Sequence, residues 1–109
     1  MPSLSVEFGR RDGTVTVVLY GELDVATAPA LVARLEQLPD PQPEQLIFEL
    51  AGLTFTDCTG ARAIAGAGQG RPGSGRPGSG PPVLRHVRPA VRRVLDLTGL
   101  GDLCQLEPD

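Results

Sequence analysis

Hydrophobic and polar residues alternate along the first part of the chain and then change to a helical period. Residues 4–8 and 14–21 alternate with a period of two, which predicts two β-strands. The segment 10–13 between them ends in Asp-Gly, a strong signal for a hairpin turn. Over residues 22–38 the leucines recur at helical spacing, with Asp24 or Thr27 as candidate caps for the predicted helix.

The second half of the chain continues as strand, helix, strand, helix, strand. Strands are predicted over residues 45–50, 81–87 and 103–107, and helices over residues 61–68 and from Pro89 to a left-handed cap at Gly99. Prolines 39, 41 and 43 end the first helix. Residues 69–81 contain RPGSGRPGSG, a five-residue repeat that predicts a flexible Gly/Pro/Ser loop inside a single domain spanning residues 1–109.

Helices that alternate with strands predict an α/β fold with a partly parallel sheet. In such folds, loop chemistry concentrates at the carboxyl ends of the strands. Two polar segments, GELDVAT and TDCTG, each follow a predicted strand. We therefore expect them to lie near each other.

Composition narrows the classes of function. The net charge of −3 disfavours nucleic acid as a partner. No apolar stretch reaches the roughly 20 residues that span a bilayer, and no secretory signal is evident, so a cytoplasmic protein without membrane insertion is expected. Two distant cysteines and one histidine predict neither a disulfide framework nor a metal site.

Three segments, in this order, resemble the signatures of the STAS domain: GELDVATAPAL, LIFELAGLTFTDCTGARAI and RPAVRRVLDLTGL. The resemblance covers nearly the whole chain. It implies the STAS fold, a mixed sheet of about four to five strands with helices packed mainly on one side. It also implies the function of the anti-sigma factor antagonists in that family.

In those antagonists, the residue after the aspartate is usually a serine. It is phosphorylated by the anti-sigma factor, a kinase with a histidine-kinase-like ATPase fold; the unphosphorylated antagonist binds this kinase and frees the sigma factor. The resemblance implies that Asp57 is the acid and that Cys58 replaces the phospho-acceptor. The implied partner-binding residues are Asp24, Asp57, Cys58, Thr59, Gly60, Ala61 and Arg62. The chain also departs from the family in its following helix, which is longer in relatives.

Three interpretations of Cys58 remain open. A near-isosteric replacement would leave a permanently active antagonist. Alternatively, phosphorylation moves to Thr59, whose hydroxyl could instead serve as a helix cap. Thirdly, Cys58 senses redox state, because a helix N-terminus lowers a thiol pKa, although neighbouring acids oppose this. Cys104 is expected to be a buried small hydrophobe.

The residues do not favour an enzyme, and no catalytic residue or cofactor is assigned. A nucleophilic cysteine needs a base, and His86 is the sole histidine. The C-x3-R spacing from Cys58 to Arg62 differs from the C-x5-R of cysteine phosphatases. A basic cluster is expected to be a solvated helix face or to contact acidic groups; it comprises Arg85, His86, Arg88, Arg92 and Arg93.

Two other functions are compatible with the resemblance. STAS domains also act as regulatory subunits of lipid-transport ABC ATPases, and this is the leading alternative. A ligand-sensing module is the weaker one.

Overall fold

A computed structural model of the chain describes residues 3–38, 43–67 and 80–107. Within these ranges the secondary structure follows the predicted order. The strands are β1 (Leu4–Arg11), β2 (Thr14–Leu23), β3 (Gln45–Thr56), β4 (Val83–Arg85) and β5 (Gln105–Leu106); the helices are α1 (Ala28–Glu36), α2 (Cys58–Gly66) and α3 (Pro89–Thr98). A short 3-10 helix, Leu100–Leu103, precedes β5.

The five strands form one mixed sheet in the order β1-β2-β3-β4-β5. β1 pairs antiparallel with β2, and every later pair is parallel. Each helix therefore connects neighbouring parallel strands, always in the same direction across the sheet. Because such crossovers are right-handed, all three helices lie on one face. The predicted α/β class with a mixed sheet is confirmed.

A single apolar core lies between this sheet face and the helices. Alternate residues of β2 point into it because side chains of a strand alternate between faces. Val15, Val17 and Leu19 are buried there together with Leu31 of α1, Ile64 of α2 and Leu95 of α3. The opposite sheet face carries no described helix.

The local turn signals are also confirmed. Asp12 and Gly13 both have positive φ, 50° and 83°, as a two-residue hairpin turn requires. Gly99 ends α3 in the left-handed conformation with φ of 75°, and Leu100 packs against the core after it.

The predicted end of β3 at Leu50 is wrong. The strand continues through Gly52 to Thr56 and pairs with β2, with two register shifts. The ring of Tyr20, the partner of Gly52 on β2, lies directly over this position. A Cβ added to Gly52 would lie 2.9 Å from Tyr20 Cε1, so there is no room for a side chain here. The glycine therefore marks a close approach of neighbouring strands, not a strand boundary.

Other boundaries also differ from prediction. α2 begins at Cys58, three residues earlier than predicted, because Asp57 caps it. β4 ends at Arg85, because His86 adopts a positive φ of 54° that leaves the strand. Leu103 belongs to the 3-10 helix, so β5 is shorter than predicted. Most of the predicted loop, namely residues 69–79, and prolines 39 and 41 lie outside the described residues.

Candidate functional site

The candidate site lies where the carboxyl ends of β2 and β3 meet. The two strands run parallel, and their last residues, Leu23 and Thr56, are paired in register. One residue further on, the Asp57 amide donates to the Leu23 carbonyl at 3.2 Å. The predicted proximity of GELDVAT and TDCTG is therefore a direct consequence of the parallel pairing of these strands.

Asp57 ties the two segments together through both oxygens of its carboxylate. Oδ1 accepts a hydrogen bond from the Gly60 amide at 2.8 Å and so caps α2. Oδ2 accepts from the Val25 amide at 3.0 Å, on the loop after β2. One side chain thus sets the start of α2 and the position of the β2–α1 loop.

Asp24 has a similar internal role in the loop before α1. Its Oδ1 accepts from the amides of Ala26 and Thr27 at 2.9 and 3.0 Å, which closes a tight turn. The Thr27 hydroxyl donates to the Glu22 carbonyl at 3.0 Å. Thr27, one of the two predicted caps, occupies the N-cap position of α1, but its side chain makes no capping hydrogen bond.

Gly60 allows α2 to sit close against the end of β2. A Cβ at this position would lie 2.6 Å from the Leu23 carbonyl oxygen and 2.7 Å from Leu23 Cγ, and would also collide with Thr56 Oγ1. Any side chain would push the first turn of α2 away from the strand. Glycine is therefore required here by proximity, not by a left-handed backbone.

The first turn of α2 presents Cys58, Thr59 and Arg62 to solvent, whereas Gly60 and Ala61 are buried beneath them. Within the described residues, the Cys58 thiol, the Thr59 hydroxyl and the Arg62 guanidinium make no hydrogen bond or ion pair. The N-cap is Asp57, so the alternative in which Thr59 caps the helix is wrong. We call the exposed Cys58, Thr59 and Arg62, with the partly buried Asp24 and Asp57, the switch face.

Two exposed apolar side chains at this end of the sheet were missed by the sequence analysis. Val25 is 68% exposed and Phe55 is 45% exposed. Val25 follows the GELD segment directly, and its own amide is held by Asp57. In the sequence, Val25 is an apolar residue in a polar segment after a strand. The helical period of residues 22–38 also explains an apolar residue there, so exposure was not predicted.

The two thiols have different environments, and both are free. Cys58 is exposed, whereas Cys104 is half-buried against the core, with its Sγ 3.7 Å from the Leu100 carbonyl oxygen. Burial raises the pKa of Cys104 to about 11. His86 is hydrogen-bonded to Glu49 at 2.7 Å, so the described structure provides Cys58 with no histidine base.

Most of the predicted basic cluster is engaged within the chain. The hydrogen bond from Arg85 to Glu107, and then the charge of Glu107, raise the pKa of Arg85. The expected contact with the protein's own acids holds for three members: Arg85 with Glu107 (2.6 Å), His86 with Glu49 (2.7 Å) and Arg92 with Asp96 (3.3 Å). Arg88 donates instead to the backbone carbonyl of Ala51 at 2.6 Å.

None of the helices within the described ranges is long and apolar enough to cross a bilayer. The same ranges contain no group of three His, Cys, Asp or Glu side chains that could hold a metal ion.

The chain matches a known protein family. The family model of the STAS domain matches residues 5–109. An anti-sigma factor antagonist from Mycobacterium paratuberculosis has a similar structure, with a TM-score of 0.76, 29% sequence identity, and coverage of 98% of this chain and 87% of that chain.

The anti-sigma factor antagonist SpoIIAA is similar in two solved forms. Its unphosphorylated form matches with a TM-score of 0.63 at 24% identity, covering 98% of this chain and 90% of that one. The phosphorylated form of SpoIIAA from Bacillus matches with a TM-score of 0.61 at 21% identity, covering 96% and 93%. At these identities the two matches bear on the fold alone.

Proposed function

Because the chain belongs to the STAS domain family, we propose that it is an anti-sigma factor antagonist. It binds an anti-sigma factor with a histidine-kinase-like ATPase fold through the switch face, and so releases a sigma factor. It is a binding protein without catalytic residues or cofactor, and it acts in the cytoplasm. The observation that carries the proposal is the exposure of Cys58 and Thr59 on the first turn of α2, where their side chains have no hydrogen-bond partner among the described residues.

The local structure suits a surface that a partner must contact closely. Asp57 fixes the helix start and the neighbouring loop, so the exposed groups project from a rigid platform. Gly60 and Ala61 are buried beneath these groups and position this turn. Preorganisation of this kind lowers the entropic cost of binding.

A phosphate on the first turn would reverse binding by its charge. It would add between one and two negative charges beside the carboxylates of Asp57 and Asp24. The same charge would have to be desolvated in a closed interface, which is costly unless the partner supplies a cation. A phosphorylatable residue at this position is therefore an effective off switch.

Cys58 changes this switch. A thiol is close to a serine in volume and carries no charge as a thiol, so it mimics the unphosphorylated state that binds the kinase. Its thiol is not an ordinary substrate for a serine/threonine kinase. We propose that the antagonist is permanently competent to bind unless Thr59 accepts the phosphate instead.

Titration of the chain against each histidine-kinase-fold anti-sigma factor of its source organism tests this function. At least one should bind, and Thr59→Glu should weaken that binding at least tenfold through its added charge. Ser5→Glu is the matched control, because Ser5 is exposed on the sheet face opposite the helices.

Binding to none of these factors, or equal binding by wild type and Thr59→Glu, would contradict the proposal. Capture of an ABC ATPase instead would favour the alternative regulatory role.

A further inference from the structure

The β2–α1 loop carries an exposed apolar side chain held close to the first turn of α2. The amides of Val25 and Gly60 bind the two oxygens of the same Asp57 carboxylate, at 3.0 and 2.8 Å. One carboxylate therefore holds the β2–α1 loop beside the first turn of α2. The Val25 side chain, however, is 68% exposed and has no role in the core.

We infer that Val25 is an apolar anchor of the surface that docks the anti-sigma factor, an inference that rests on the proposed function. A standard protein interface buries about 800 Å² per partner, which corresponds to a patch about 16 Å in radius. An interface centred on Cys58 and Thr59 therefore includes Val25. An exposed valine near the centre of an interface loses its water contact when the partner binds, which is favourable.

The charges of the switch face also favour an apolar contact with the partner at Val25. Asp57 uses both carboxylate oxygens, and Asp24 uses one, to hold backbone amides of the chain itself. The exposed groups of the switch face are Cys58 and Thr59, with Arg62 as its one cation. The partner that fits is an anti-sigma factor with a shallow apolar depression facing Val25 and Cys58, with a carboxylate placed for Arg62.

Isothermal titration of the anti-sigma factor with Val25→Ser tests the inference. The substitution should weaken binding roughly tenfold, because it removes one buried apolar side chain from the interface. Val25→Leu should keep the affinity, since it stays apolar. Leu97→Ser is the matched control: Leu97 is 78% exposed but lies on α3, away from the switch face.

The salt dependence of binding provides a second measurement. An interface anchored by an apolar side chain, with Arg62 as its one ion pair, should lose less than about tenfold in affinity between about 0.1 M and about 1 M salt, because screening acts on exposed charges. Thermal unfolding of Val25→Ser should match wild type, which separates a binding defect from a folding defect.

The outcomes distinguish the two proposals. If the wild type binds and Val25→Ser binds equally well, the anchor inference is overturned while the proposed function stands. A loss of affinity of tenfold or more with salt overturns the apolar character of the interface. If no anti-sigma factor binds the wild type, both proposals fall.

Discussion

Asp57 Oδ2 accepts the amide of Val25 at 3.0 Å across 32 residues of sequence, while its Oδ1 caps α2 through Gly60. This carboxylate is the link between the loop after β2 and the helix after β3. The backbone amide of Asp57 adds a further link between the same segments, because it donates to the Leu23 carbonyl at 3.2 Å.

Two substitutions of Asp57 should show what the hydrogen bonds of its carboxylate contribute to stability. Asp57→Ala removes both and should lower the free energy of unfolding by about 1–2 kcal/mol, as loss of an N-cap does. Asp57→Asn keeps one acceptor oxygen, so it should retain the cap and cost less. Urea unfolding measures both effects, and amide hydrogen exchange should show faster exchange at Val25 in each variant. Unchanged exchange at Val25 in Asp57→Ala would contradict the assigned link.

The stability of the protein should respond differently to alanine at the two glycines of α2. Gly60→Ala should lower the free energy of unfolding by about 1–3 kcal/mol, because the new methyl group collides with Leu23 and Thr56. Gly66→Ala is the control, since a Cβ there meets nothing within 4 Å. It should be neutral or raise the free energy of unfolding by up to about 1 kcal/mol through helix propensity. Equal effects of the two substitutions in urea unfolding would contradict the close packing at Gly60.

The two thiols should differ in reactivity toward a disulfide reagent in the native protein. Cys58 is exposed and should react quickly. Cys104, with a pKa of about 11, should react slowly, because at pH 8 only about one thiol in a thousand is ionised. Mass spectrometry of the labelled peptides identifies the site. Preferential labelling of Cys104 in the native state would contradict the described burial.

Burial of Cys104 also predicts a pH dependence of stability. The folded state raises this pKa above its ordinary value of 9.0 to about 11. The contribution of the neutral thiol is therefore fully present below pH 9 and is lost as the pH rises toward 11. Urea unfolding across this range should show a decline that is absent in Cys104→Ala; the same decline in that variant would assign it to other groups.

Phosphorylation assays should show whether the phosphorylation switch is lost or has moved to Thr59. With the cognate kinase and ATP, intact mass of the wild type should show no added phosphate, because Cys58 offers no hydroxyl. Cys58→Ser should gain one phosphate at the restored serine. A phosphate mapped to Thr59 of the wild type would show that the switch has moved. Failure of Cys58→Ser to gain any would mean that kinase recognition itself has changed.

The sequence predicted the local turns, the helix cap and the proximity of GELDVAT to TDCTG, but not the features that depend on one particular side chain of another element. The Asp12–Gly13 turn and the Gly99 cap depend on backbone conformations that the residues themselves favour. The continuation of β3 past Gly52 depends on Tyr20, a residue of another strand. Asp57 could be placed beside a helix start by its motif, whereas the position of Val25 depends on a hydrogen bond across 32 residues.

The central claim is tested most directly by release of a sigma factor. A preformed complex of a sigma factor with its anti-sigma factor is mixed with the chain, and free sigma factor is measured by size-exclusion chromatography. The proposed function predicts release in proportion to the chain added, with Thr59→Glu releasing much less and Ser5→Glu releasing as much as wild type. Sigma factor that stays bound at saturating wild-type chain, for every such complex of the source organism, would contradict the claim.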